Sequence, residues 1–372
     1  MLIAAGTLGA VVIAIVLWDA FEAIILPRRV VRRIRLTRIF FVATWVVWSW
    51  VARRIQRPKR RDALLALYGP LSLLMLLVIW AGGLVLGFGL MQWGIGSHLA
   101  THGEHPGLLT DFYLSGTTFF TLGYGDIVPD TSFARAVAVL EAGFGFGFLA
   151  VVIGYLPVIY QSFSRREVSI TLLDARAGSP STAIELFRRS KETGRFEALD
   201  AFFLEWERWS ADLLESHLSY PVLSYYRSQH DNQSWLGALT MVMDAAALVV
   251  SGIVKGPAGQ AQLTFAISRH AVVDLSQSLN IPPVQPSRER LTDEDLERAA
   301  AILGIPSPTE CNRKNLLELR LLYEPYVNAL AKQLMFTLPG WLPPERVVSN
   351  WQTSAWGGRA APDLLREDVH SD

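Results

Sequence analysis

One cysteine in 372 residues, Cys311, leaves no partner for an intrachain disulfide, which fits a reducing compartment for the half of the chain that carries it. No strand followed by GxGxxG occurs, so a dinucleotide-binding unit is not expected, and no β-rich run stands for a cyclic-nucleotide module. Phosphate-loop and metal-ligand spacings are missing as well. Ser228, His230 and Asp231 lie too close together in sequence to form a catalytic triad, so nothing points to an enzyme. Charge is scarce, at 18% of residues, and unevenly placed. Between residues 28 and 61 there are twelve Lys or Arg and no acid.

Apolar residues make up 51% of the chain and are concentrated in its first 163 positions. Residues 1–164 hold 13 basic and 8 acidic side chains, whereas 165–372 hold 21 and 26, so the net charge of zero hides a basic half and an acidic half. A bilayer core needs about 20 apolar residues of helix, and three runs reach that length: Leu2 to Leu26, Ala63 to about Gln92, and about Phe133 to Phe163. The first has neither the positive start nor the small-residue cleavage site of a secretory signal and reads as a retained anchor. By the positive-inside bias the loop of residues 28–61 is cytoplasmic, the N-terminus and residues 93–132 are outside, and Arg165 and Arg166 open a cytoplasmic part. The expected location is the plasma (inner) membrane. The patch Ile39 to Val51 has basic clusters on both sides, and crossing would strand one of them, so an interfacial, tryptophan-anchored helix is expected. The basic stretch Arg28 to Arg61 suits contact with anionic lipid.

Between the second and third runs, "PGLLTDFYLSGTTFF" has the length of a half-crossing helix, with Thr110 as its N-cap. "TLGYGDIVP" (121–129) follows and cannot continue as helix, because glycines flank Tyr124 on both sides. Non-helical backbone at membrane depth survives only where protein buries it or it lines a wet cavity. Alternating backbone geometry turns successive carbonyls to one axis, where rings of oxygen replace the water shell of a monovalent cation. In that reading a Cβ at Gly123 or Gly125 would disturb the ring. Thr121 adds a hydroxyl at the inner mouth, Leu122 and Tyr124 point backward to brace the strand, Asp126 makes the outer mouth negative, and Pro129 ends the loop.

"TLGYGD" resembles the selectivity-filter signature of potassium channels, and the order span, pore helix, filter, span over residues 64–163 resembles the pore module those channels share. The resemblance implies K+ coordinated by oxygens of Thr121, Leu122, Gly123 and Tyr124. It also implies a homotetramer, since one filter per chain needs copies related by rotation. "GFGFGF" (143–148) lacks the threonine and the acid and is not a second filter. Many potassium channels carry a second threonine before the filter threonine. Here Phe119 and Phe120 stand there, so the inner support is expected to pack differently.

Gly143, Gly145 and Gly147 weaken the third run, and Pro157 removes a hydrogen bond near its cytoplasmic end. "YLPVIYQSF" resembles the lower inner helix of voltage-gated potassium channels, making Gly143, Gly145 and Pro157 candidates for hinge or gate. The plainer reading is that the glycines permit close helix packing. Glu141, an acid inside a span, either hydrogen-bonds behind the filter or faces the cavity. Asp19 and Glu22 are expected to partner the arginines that follow them. Arg29, Arg32, Arg35 and Arg38 recur every third residue like a voltage-sensor stripe, but a single preceding span supplies no bundle for a sensor to move through, and lipid contact accounts for them more simply.

In the outer loop, His98 and His102 are expected one helical turn apart, with Glu104 and His105 nearby. Proton sensing or metal binding is the chemistry they offer, and ordinary loop residues the plainer reading. After residue 164, apolar residues recur at three- and four-residue spacing in "STAIELFRRSKE", "RFEALDAFFLEWERWSADLLESH", "QAQLTFAISRHAVVDLSQSL" and "NRKNLLELRLLYEPYVNALAKQLM". "WLGALTMVMDAAALVVSGIV" (235–254) is long enough to span, but Asp244 at its centre favours a buried core helix. "SYPVLSYYRSQHDNQSW" (219–235) is either a ligand-pocket lining or a helix with polar turns.

The expected architecture is all-α. Residues 1–62 form the anchor, basic loop and interfacial helix, 63–163 the pore domain, 164–340 a helical cytoplasmic regulatory domain and 341–372 a poorly ordered tail. The expected function is passive, potassium-selective conduction by a homotetramer, with K+ in the filter, no organic cofactor and no nucleic-acid partner. The cytoplasmic ligand is not legible, and a potassium transporter pore subunit is the alternative.

Overall fold

Long apolar segments satisfy their backbone groups internally only as helices, and helices dominate the chain. In the computed structural model the described residues are 2–26, 35–96, 99–101, 107–194, 196–229, 232–286 and 289–343. They form two compact units, residues 1–161 and 162–372.

The first unit begins with α1 (Leu2–Ala20), whose last turn runs into a π-helical turn at Phe21–Ile25. Then come α2 (Leu36–Arg53), α3 (Pro58–Ile95), the pore helix α4 (Leu108–Phe119) and the start of α5 (Ser132–Ala177). A short strand β1 (Leu99–Thr101) pairs antiparallel with β2 (Ile127–Pro129), Leu99 opposite Pro129. Three helices, Leu2–Ile24, Pro58–Ile95 and Ser132–Ala177, are long and apolar enough to cross a membrane, and α2 is not among them. The unit's core packs Ile13 and Val16 of α1 with Leu76, Trp80, Leu84 and Phe88 of α3, Phe119 of α4 and Val137 of α5.

α1 is therefore part of the unit and not a loose tether. Asp19, buried at its end, accepts from Trp80 Nε1 of α3 at 3.0 Å and from the backbone N–H of Thr37 at 3.1 Å. Glu22 pairs with Arg35 (3.4 Å) as expected; the partners of Asp19 among the described residues are Thr37 and Trp80, and Arg28, Arg29, Arg32 and Arg33 lie outside the described residues. α2 lies on the first turns of α3, where Tyr68 donates to the Phe41 carbonyl (3.0 Å) and Trp48 donates to the Leu64 carbonyl (3.1 Å). Of the candidate sensor stripe, Arg29 and Arg32 lie outside the described residues. Arg35 is extended (φ −135°), so the arginines do not share one helix.

The second unit starts in the last turns of α5 and continues through α6 (Ala183–Glu192), α7 (Leu199–Ser219), α8 (Trp235–Val250), α9 (Ala258–Ser278), α10 (Asp293–Leu303), α11 (Glu310–Leu321) and α12 (Glu324–Leu334). Thr182, Thr292 and Thr309 cap α6, α10 and α11, the last two with reciprocal capping boxes. The segment expected as one helix over 312–335 is two, because Pro325 has no N–H to donate and sits in the first turn of a new helix. α8 is the buried centre of the unit: nearly all of its residues are inaccessible, as the acid at its middle suggested. Asp244 is fully buried, ion-paired to Arg290 at 2.6 Å and hydrogen-bonded by Tyr323. Arg290 also reaches Glu324 (3.3 Å) and the Pro339 carbonyl (3.0 Å), while Trp341 packs into the same core.

Candidate pore segment

The pore helix is held at three points along one face, by α3 and α5. Gly89 of α3 lies directly against Phe112, where a Cβ would overlap the ring. Ser115 donates to the Val85 carbonyl of α3 at 2.7 Å, and its hydroxyl also meets the carboxyl of Glu141 on α5. Gly145, one turn further along α5, touches the Phe119 carbonyl so closely that a Cβ would stand 2.8 Å from the carbonyl carbon. Of the two roles open for Glu141, the bonded position behind the pore segment is the one occupied, and the side chain is fully buried. The N-cap is Gly107 and not Thr110, which falls inside the first turn; the cap residue is extended (φ −155°, ψ 174°), and Gly107 occupies it without a side-chain bond.

Beyond Phe119 the helix ends and the main chain changes hand at alternate residues. Thr121, Gly123 and Gly125 all have positive φ (57°, 57° and 77°), while Leu122 and Tyr124 between them do not. Glycine adopts this conformation readily. A β-branched threonine does not, and holding one there costs about 1–3 kcal/mol, strain that concentrates at functional sites. The turn is tied back to the pore helix, with Leu122 N–H donating to the Thr117 carbonyl at 2.8 Å and Gly123 N–H to the same oxygen at 3.4 Å. Thr121 Oγ1 donates to the Phe120 carbonyl (2.7 Å). Asp126 at the far end accepts from Tyr113 Oη at 2.8 Å, and Arg135 Nε fixes the Pro129 carbonyl at 2.9 Å.

Leu122 and Tyr124 are 54% and 68% exposed in the single chain, so the described residues cover less than half of each. The two phenylalanines before the segment divide their duties. Phe119 is buried against Phe148 of α5 with ring centroids 5.9 Å apart, and Phe120, edge-on to Phe119, is 59% exposed.

Among the hinge candidates, Gly145 is a packing contact, whereas a Cβ at Gly143 or Gly147 would meet nothing within 4 Å. α5 remains helical through Pro157. His98, His102, Glu104 and His105 lie outside the described residues. The backbone between the first two histidines, Leu99–Thr101, is a strand, so the helical spacing that would bring them together does not hold. His230 and Asp231 are likewise outside the described residues, and the preceding stretch Pro221–Tyr225 is a 3-10 turn. Among the described residues no cluster of three His, Cys, Asp or Glu is placed to hold a metal.

A feature not anticipated from sequence is Arg166, near the end of α5. Its buried guanidinium donates to the Leu223 and Tyr226 carbonyls (both 3.0 Å) and to His217 Nε2 (3.1 Å), and it pairs with Glu167 (2.8 Å). His217 Nδ1 lies 2.9 Å from the Leu213 carbonyl, which fixes the neutral tautomer with its proton on Nδ1. Burial, with the Arg166 charge adding to it, holds His217 well below the ordinary 6.5.

One comparison with known proteins falls on this stretch. The family model described as ion channel matches residues 74–161. Protein LctB of Geobacillus stearothermophilus is 34% identical over 93 residues, 22% of this chain and 69% of that protein. The "uncharacterized membrane protein YdjJ" of Bacillus subtilis (strain 168) is 22% identical over 264 residues, 70% of this chain and 75% of that one. No solved structure matches the chain. With the matched residues running from within α3 through the pore helix and the left-handed segment to the middle of α5, this chain belongs to the ion channel family.

Proposed function

We propose that the chain is one of four identical subunits of a potassium-selective channel, in which main-chain oxygens of Thr121, Leu122, Gly123 and Tyr124 from the four copies coordinate dehydrated K+. The alternation of backbone hand at Thr121, Gly123 and Gly125 carries this reading, because it turns successive carbonyls to a common side directly after a half-length helix. A ring of oxygens needs copies related by rotation, and each chain supplies one segment. The uncovered faces of Leu122 and Tyr124 suit cover by a neighbouring copy. Asp126 supplies negative charge at the outer end. Gly143 and Pro157 on α5 are the gate candidates, and the second unit is the regulatory one. The N-terminus is outside and the second unit cytoplasmic in the plasma membrane, with Arg28 to Arg61 against anionic lipid.

Purified protein in liposomes is expected to pass potassium passively, in preference to sodium, and to run as a tetramer in native mass measurement. Gly123→Ala is expected to abolish selective flux while leaving assembly intact. Retained potassium preference in that variant would refute the filter assignment. Flux coupled to a second ion would favour a potassium transporter pore subunit instead.

A further inference from the structure

Ser115 and Glu141 are both inaccessible, one on the pore helix and one on α5. The Ser115 hydroxyl lies 2.7 Å from the Val85 carbonyl and also in contact with Glu141 Oε1. A main-chain carbonyl only accepts, and a serine hydroxyl carries one proton. That proton is committed to Val85, so the Glu141 contact is a hydrogen bond only if the carboxyl group supplies the proton and Ser115 Oγ accepts it. Two further observations agree. Glu141 Oε2 is buried with no partner among the described residues, which a neutral acid's carbonyl oxygen tolerates far better than a carboxylate does. No Lys, Arg or His occurs in α4 or between Ala63 and Ile95 of α3, so neither helix packed on this site offers a balancing cation.

We propose that Glu141 is a positioning residue for the ion pathway: it donates its carboxyl proton to Ser115, Ser115 donates to Val85, and this relay fixes the pore helix between α5 and α3. The helix so fixed carries the Thr117 carbonyl, to which Leu122 and Gly123 are tied. Gly145 against Phe119, one turn on, extends the same contact. The inference rests on reading residues 121–126 as a selective pathway.

The test uses the full chain in liposomes, with zero-current potentials measured across opposed potassium and sodium gradients. Glu141→Gln keeps a donor for Ser115 and is expected to retain the wild-type permeability ratio. Glu141→Met and Ser115→Ala each break the relay and are expected to lower the potassium-to-sodium ratio by about tenfold, the size of one buried link, with the double variant no worse than either. If Glu141→Met fails to assemble, Ser115→Ala decides alone. Wild-type ratios in Ser115→Ala, or a Gln variant as impaired as the Met variant, would overturn the relay. A wild-type protein with no potassium preference would instead overturn the function on which it rests, and the relay with it.

Discussion

The carbonyl group of Phe119 occupies the space that a methyl group on Gly145 would need. The central glycine of "GFGFGF" is thus where the pore helix meets α5. Gly145→Ala is expected to destabilise the protein by about 1–3 kcal/mol through overpacking. A lowered thermal midpoint in detergent checks it. Gly143→Ala and Gly147→Ala, with open space around each in the chain, are the controls expected to leave that midpoint near wild type.

The α1–α3 seam makes a parallel prediction. A Cβ on Gly94 would stand 2.7 Å from the Leu2 carbonyl and overlap the backbone of Gly6, and one on Gly9 would stand 2.8 Å from Met91 N. Gly94→Val is expected to push α1 off α3. Faster protease cleavage of the α1 region in the reconstituted protein is the measurement; unchanged protection would show that α1 docks by other contacts.

In the second unit, Arg290→Met strands the buried Asp244 without its cation. Removing one member of a buried ion pair costs about 3–5 kcal/mol. Chemical unfolding of Arg290→Met should show that loss, and adding Asp244→Leu to it should recover part, because the uncompensated charge is then gone.

His217 gives a pH signature. Its folded form is held neutral by burial beside Arg166, whereas the unfolded form takes a proton as pH falls through the ordinary 6.5. The unfolded state then binds more protons, so stability is intact above that pH and falls below it, by about 1.4 kcal/mol per pH unit from this group. His217→Gln is expected to flatten the decline between neutral and mildly acid pH. Thermal midpoints at several pH values, wild type against variant, are the comparison.

The architecture was legible because it rests on local pattern. Apolar length marked the three long helices, basic flanks marked α2, and the acid in mid-run separated α8 from a membrane span. The caps at Thr292 and the change of geometry at Gly123 and Gly125 follow from residue type within a few positions. What escaped is long-range. Nothing local to Thr121 announces a left-handed backbone; it accompanies the tie from Leu122 to Thr117 and the left-handed glycines that follow. Gly145 against Phe119, Asp19 with Trp80, and Arg166 with Leu223 and Tyr226 join positions far apart in the chain, and no periodicity encodes such pairs. The break before α12 was legible in Pro325, and apolar spacing on both sides of it masked the signal.

Asp19 gathers Thr37 and Trp80 onto one carboxylate, so the chain comes back to the end of α1 after an excursion of 18 residues, as the spacing of that bond states. Asp19 and Thr37, which stand before and after the basic segment, are thereby held together by one carboxylate. Cutting the chain between them would therefore not release the first helix, and a severed α1 should still travel with the rest of the protein through purification.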